Sequence, residues 1–283
     1  MIKTILIDFL KFIIKPNDLQ IESTTKSKLY ITSIIFLLHG VITVVFILPL
    51  LTLITKIIDL SHNSSTYLTF SKSFLFLVIL IPLVEELVFR YFLRYNGFKT
   101  LIISEKKWLK IFPILVYVST ICFGLLHITN YPSSTKLFFL LFPIIILPQL
   151  IGGFMISYLR VRLNFLWGVI YHATWNLTVM IIIPYISYSL TDAYSEKTPN
   201  YSIKMEYKLF FNEEKQQLKI DSIGDKILYI KTENYTIHQI LDTLYRKEKY
   251  VVSDELVNLN FESKKGITKD AFIKILQKEI EIK

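Results

Sequence analysis

The chain has 283 residues, 52% of them hydrophobic and 19% charged, with a formal net charge of +9 and a mean hydropathy of +0.46. That is too apolar for a water-soluble chain of this length. Residues 1–190 hold 16 Lys and Arg against 7 Asp and Glu, whereas residues 191–283 hold 16 of each. The excess positive charge therefore lies between apolar stretches, where membrane topology accounts for it, and a nucleic-acid partner is excluded.

From the N-terminus, residues 1–15 (MIKTILIDFLKFIIK) are apolar but broken by Lys3, Asp8 and Lys11. They are too short to span, and no small-residue cleavage site follows. The expected element is an interfacial amphipathic helix whose charged side chains reach the headgroups, rather than a signal peptide. Five longer stretches follow, near 29–55, 71–91, 111–128, 137–159 and 163–188, each about the 20 residues that a crossing takes. The single cysteine, Cys122, sits inside one of them, so no intrachain disulfide can form.

After residue 188 the pattern changes, with a linker expected near 189–200. MEYKLFF (205–211), KILYIKT (226–232) and ELVNLNFES (255–263) read as strands. TIHQILDTLYRK (236–247) and ITKDAFIKILQKEI (267–280) read as amphipathic helices opening at Thr236 and Thr268, both good N-caps. The fold expected is an all-α polytopic membrane bundle over 1–190, with about five crossings and the N-terminal interfacial helix. A small soluble α+β domain over 191–283 completes it.

Orientation follows from the loop cations. Lys3, Lys11, Lys15, Lys26, Lys28, Arg94, Lys99, Lys106, Lys107, Lys110, Arg160 and Arg162 fall on one side; Lys56, Lys72 and Lys136 fall on the other. The N-terminus is expected in the cytoplasm. An odd number of crossings then places residues 191–283 outside it, in the periplasm if the membrane is a bacterial inner membrane.

Charges within spans are expensive, about 2.5–3.5 kcal/mol each on insertion scales, so each needs a reason. The second span reads ILIPLVEELVFRYFLR. Glu86 and Arg90 are one turn apart on one face and can neutralise each other for packing, while Glu85 points about 100° away without a helix-local partner. A lone carboxyl in an apolar bundle suits a general base or acid.

The third span ends in CFGLLHITN, placing His127 one turn after Phe123; an interfacial or hydrogen-bonded histidine is the bland reading. The fifth contains VIYHATWN, with His172 and Asn176 on one face, where an interhelical hydrogen-bonding pair is the bland reading. His39, in the first span, has no such partner and reads as structural. Counted from the basic loops, Glu86 and His172 both lie roughly 14 Å deep, Asn176 near 20 Å and His127 near 21–24 Å. A cluster near the bilayer midplane is geometrically allowed.

Glu85-Glu86-x-x-x-Arg90, Phe123-x-x-x-His127 and His172-x-x-x-Asn176, in that order on separate spans, resemble the CPBP family of CAAX proteases and bacteriocin-processing enzymes, also called Abi. Its members include the type II CAAX prenyl endopeptidase, and the resemblance covers roughly 71–188. It implies an intramembrane endopeptidase in which Glu85 with His127 activates a water, His172 with Asn176 stabilises the oxyanion, and Glu86 with Arg90 orients the site. A carboxylate–imidazole pair and two hydrogen-bond donors suit that chemistry.

No cofactor is expected, although zinc on His127, His172 and Glu85 or Glu86 stays open. The partners implied are a membrane-associated peptide or protein substrate and the bilayer. A CAAX substrate would require a prenylating host, whereas bacterial relatives are associated with bacteriocin maturation or self-immunity.

In the tail, NLNFESKKGITKDAFIKIL is similar to the short N-terminal domain of secretins and TonB-dependent receptors, which implies a protein- or peptide-binding role. His238, on a charged helix, reads as solvated. Two competing readings of the whole chain are a non-enzymatic immunity or scaffold protein that keeps the motifs for folding, and a proton-coupled transporter. The transporter reading is weakened because no inverted repeat is visible.

Overall fold

The apolar runs become long helices interrupted by π-helical turns, and prolines explain the interruptions. In the computed structural model, which describes residues 1–58, 60, 67–131, 135–245, 252, 255–280 and 282, helix α1 spans Ile2–Ile14 and α2 spans Thr25–Thr55. Helix α3 runs over 70–89, α4 over Phe98–Ile102, α5 over Glu105–Leu126, α6 over Lys136–Ile145, α7 over Leu147–Arg162 and α8 over Phe165–Leu190. The π segments Thr43–Ile47, Phe74–Leu80 and Leu177–Ile182 each end just before a proline: Pro49, Pro82 and Pro184. Proline has no N–H to donate, and its ring crowds the carbonyl four residues back, so the preceding turn widens.

Four helical stretches are long and apolar enough to cross a membrane: Thr25–Thr55, Glu105–Asn130, Lys136–Arg162 and Phe165–Leu190. The remaining expected span, α3, is helical throughout but carries Lys72, Glu85 and Glu86.

The chain divides into two units, residues 1–63 with 75–178, and residues 64–74 with 179–283. In the first, Ile5, Phe9 and Phe12 of α1 pack with Trp108, Phe112 and Tyr158. Asp8 bonds the Arg162 guanidinium at 2.7 Å and accepts from Tyr158 Oη at 3.0 Å, so this charge has protein partners. Asp18 pairs with Arg94 at 3.0 Å and accepts from the Trp108 indole at 2.9 Å. Arg162 also donates to the carbonyls of Asn17 and Leu19. These bonds tie residues 8–20 to the 90–95 and 160–163 segments.

The second unit holds a five-stranded sheet of β1 (Tyr194–Lys197), β2 (Tyr201–Lys208), β3 (Gln217–Ile223), β4 (Lys226–Thr236) and β5 (Leu256–Thr268). Its order is β1-β2-β5-β4-β3, and every neighbouring pair is antiparallel. Helices α9 (Ile237–Leu244) and α10 (Lys269–Leu276) add Ile240, Leu241, Phe272 and Ile275 to a core with Met205, Ile230 and Phe261. Each such side chain contributes about 1.5–3 kcal/mol on burial from water. Thr236 caps α9 in a capping box with Gln239, and Thr268 caps α10.

Several boundaries differ from the sequence reading. The strand expected over 205–211 begins at Tyr201 and stops at Lys208, and β1 occupies part of the expected linker. Strand β3 goes undetected because it is a polar, largely exposed edge. Helix α9 ends at Leu244; residues 246–247 of that reading lie outside the described residues.

Candidate active site

Glu85 and Glu86 stand on the segment Ile81–Phe89, which starts from the Pro82 turn and ends where Arg90 leaves helical geometry (φ −127°). Arg90 N–H and Tyr91 N–H both donate to the Glu86 carbonyl. The last carbonyls would be orphans, but they find partners on other helices. Arg160 of α7 donates through Nε to Arg90 O at 3.1 Å and through Nη2 to Tyr91 O at 2.9 Å, and Ser119 Oγ of α5 donates to Phe89 O. The sequence reading counted Arg160 only as a loop cation. It is 6% exposed and anchors the helix that carries the glutamates. The only signal that could have found it is its place at a span end facing α3, which a linear pattern cannot display.

Arg90 is fully buried. Its Nη1 donates to Glu86 Oε1 at 2.8 Å, and its guanidinium lies 3.9 Å from the Phe123 ring centroid. Gly153 makes room: a Cβ there would stand 3.3 Å from Arg90 Nη2 and 3.0 Å from Thr120 Cγ2. Phe123 is the hub of the site, edge-on to His127 (centroids 4.7 Å apart) and to His172 (5.8 Å).

His172 lies between the two glutamates. Its Nδ1 is 2.9 Å from Glu86 Oε1 and its Nε2 is 3.5 Å from Glu85 Oε2. Glu86 Oε1 thus faces both Arg90 and His172, as an ionised carboxylate can, and this fixes the His172 proton on Nδ1. The same logic applies to His127. Its Nδ1 is 2.8 Å from Phe123 O, which only accepts, so Nδ1 carries the proton and a neutral His127 presents its Nε2 lone pair. His127 opens a short 3-10 turn, His127–Asn130, just past α5.

Asn176 ends the regular part of α8, and its Nδ2 donates at 3.0 Å to Leu77 O in the π segment that leads into the glutamates. The structure therefore joins Glu85, Glu86, Arg90 and His172 directly and connects His127 to them through the Phe123 ring. Asn176 is tied to α3 one stretch earlier. No direct hydrogen bond links Glu85 with His127 among the described residues.

Zinc would need His127, His172 and one glutamate to converge with free lone pairs. Among the described residues no three His, Cys, Asp or Glu side chains form such a group.

Residues 68–178 match the family model described as type II CAAX prenyl endopeptidase, Rce1-like. The match contains all seven motif residues and leaves out α1, α2 and the sheet. No curated protein and no solved structure matches the chain.

Proposed function

From the match of residues 68–178 to the Rce1-like type II CAAX prenyl endopeptidase family, we propose that the chain is an intramembrane endopeptidase that hydrolyses a peptide bond with water. The observation that carries this reading is His172 held between Glu85 and Glu86.

In the mechanism, the Nε2 lone pair of His127, together with Glu85, takes a proton from water. The hydroxide attacks the carbonyl carbon, and the proton is returned to the departing amide nitrogen. His172 and Asn176 donate to the developing oxyanion. Because Nδ1–H of His172 is committed to Glu86, its donation requires a second proton on Nε2, the nitrogen that faces Glu85. Glu86, held by Arg90, aligns the ring and balances that charge.

The mechanism is written without a metal, because His127 Nε2 and Glu85 already supply the base. Residues 1–190 form the membrane-embedded protease part, with the N-terminus cytoplasmic. Residues 191–283 form an extracytoplasmic domain that binds a protein or peptide, and the substrate is a membrane-associated peptide or protein.

The test is hydrolysis of quenched-fluorescent peptides by purified protein in proteoliposomes, with and without a strong chelator. Glu85→Gln and His127→Asn are expected to lower the rate about 10²–10⁴-fold, and Asn176→Ala about 10²–10³-fold. The chelator is expected to have no effect. Chelator-sensitive cleavage with stoichiometric zinc would overturn the metal-free mechanism, and undiminished cleavage by Glu85→Gln would overturn the site.

A further inference from the structure

His172 and Asn176 are each preceded by an aromatic residue, Tyr171 and Trp175, and both rings are gripped by α2. His39 is 3% exposed; its Nδ1 lies 2.9 Å from Tyr171 Oη, and its ring stacks on Trp175 with centroids 3.5 Å apart and planes 15° apart. One turn earlier, Phe36 stands edge-on to the same two rings at 6.1 and 5.4 Å. Tyr171 Oη donates onward to Met155 Sδ of α7 at 3.3 Å, so the hydroxyl accepts from His39 Nδ1–H. Gly152 leaves the space, since a Cβ there would meet His39 Cε1 at 3.3 Å.

We propose that His39 is a positioning residue that sets the rotation and axial height of α8, and with them the placement of His172 and Asn176. The inference rests on the proteolytic reading of those two residues. An imidazole buried in an apolar span is unfavourable unless it is hydrogen-bonded, and a leucine would pack there without that penalty. What histidine adds, from outside the segment that matches the family, is a directional bond to Tyr171, the residue next to His172. The leverage is large: side-chain tips lie about 5–6 Å from a helix axis, so a 20° rotation of α8 would move them by about 2 Å. Such a shift breaks a 2.9 Å contact like that of His172 with Glu86, and a displacement of about 1 Å can lower a rate about 10²-fold.

The test uses the full chain with ¹⁵N-labelled histidine in detergent micelles, His172 being assigned from the signal lost in His172→Asn. Tyr171→Phe removes one hydroxyl, and His39→Phe keeps an aromatic ring but not the bond. Each is expected to shift the His172 ring signals and to lower kcat on the fluorescent peptides about 10–100-fold with KM unchanged. The double variant is expected to be no worse than either single one, because both remove the same contact. His172 signals unmoved in a folded Tyr171→Phe protein, or additive losses in the double variant, would overturn the positioning role. If the wild type cleaves none of the peptides, the proteolytic reading fails, and the His172 signals alone decide whether His39 positions α8.

Discussion

Glu86 Oε1 takes two partners at once, Arg90 Nη1 at 2.8 Å along its own helix and His172 Nδ1 at 2.9 Å across to α8. One carboxylate oxygen thereby joins the first and third motifs. The arrangement makes the i,i+4 pair more than a neutralised charge, because the arginine fixes the carboxylate that orients the histidine.

Removing Arg90 leaves the Glu86 charge buried without its counterion, a loss of about 3–5 kcal/mol for pairs of this kind. Arg90→Leu is therefore expected to lower the melting temperature in detergent strongly. The double variant Glu86→Leu/Arg90→Leu should recover part of that loss while staying inactive. Equal melting of wild type and Arg90→Leu would show that the pair contributes nothing to stability.

The sheet unit carries a pH response of its own. Glu255 is half-buried, and burial first, then nearby Glu279, raises its pKa above the ordinary 4.5. The folded state thus keeps this proton to higher pH than the unfolded chain does. The contribution is fully present below 4.5 and is lost as pH rises through the raised folded value. In the full-length protein, hydrogen exchange of the β5 and α10 amides should quicken as pH rises through that window, after correction for the intrinsic rate. Glu255→Gln should flatten the dependence, and an unchanged slope in that variant would assign it to another group.

Topology gives a third expectation. Five crossings, counting α3 with the four long apolar helices, would place residues 191–283 on the side opposite the N-terminus. Reporter fusions at residue 1 and at the C-terminus of the full chain should report opposite sides. Reporters on the same side would mean that one of the five helices does not cross.

Much of this was legible in the sequence. The apolar runs, the Thr236 and Thr268 caps and the three motifs all follow local rules of spacing. What escaped detection depends on partners far apart in the chain. His39 lacked a neighbour on its own helix because its partners, Tyr171 and Trp175, lie more than a hundred residues away. Arg160 looked like a topology signal because nothing local shows that its guanidinium turns inward to the carbonyls of Arg90 and Tyr91. The pairing of His172 with both glutamates, where the family resemblance had implied Glu85 with His127, likewise depends on how α3, after its π segment, is rotated against α8. The β3 edge was missed because its alternation is short, Leu218 and Ile220 between polar neighbours, with the rest of the strand exposed.

The central claim is that Glu85, Glu86, His127 and His172 form a centre that hydrolyses peptide bonds within the membrane. The most direct measurement labels new N-termini in membranes containing either the wild-type protein or Glu85→Gln at equal abundance and equal melting temperature. The account predicts at least one membrane-associated protein with an internal N-terminus seen only with the wild type. Identical N-termini in both membranes, with the biological activity of Glu85→Gln intact, would contradict it.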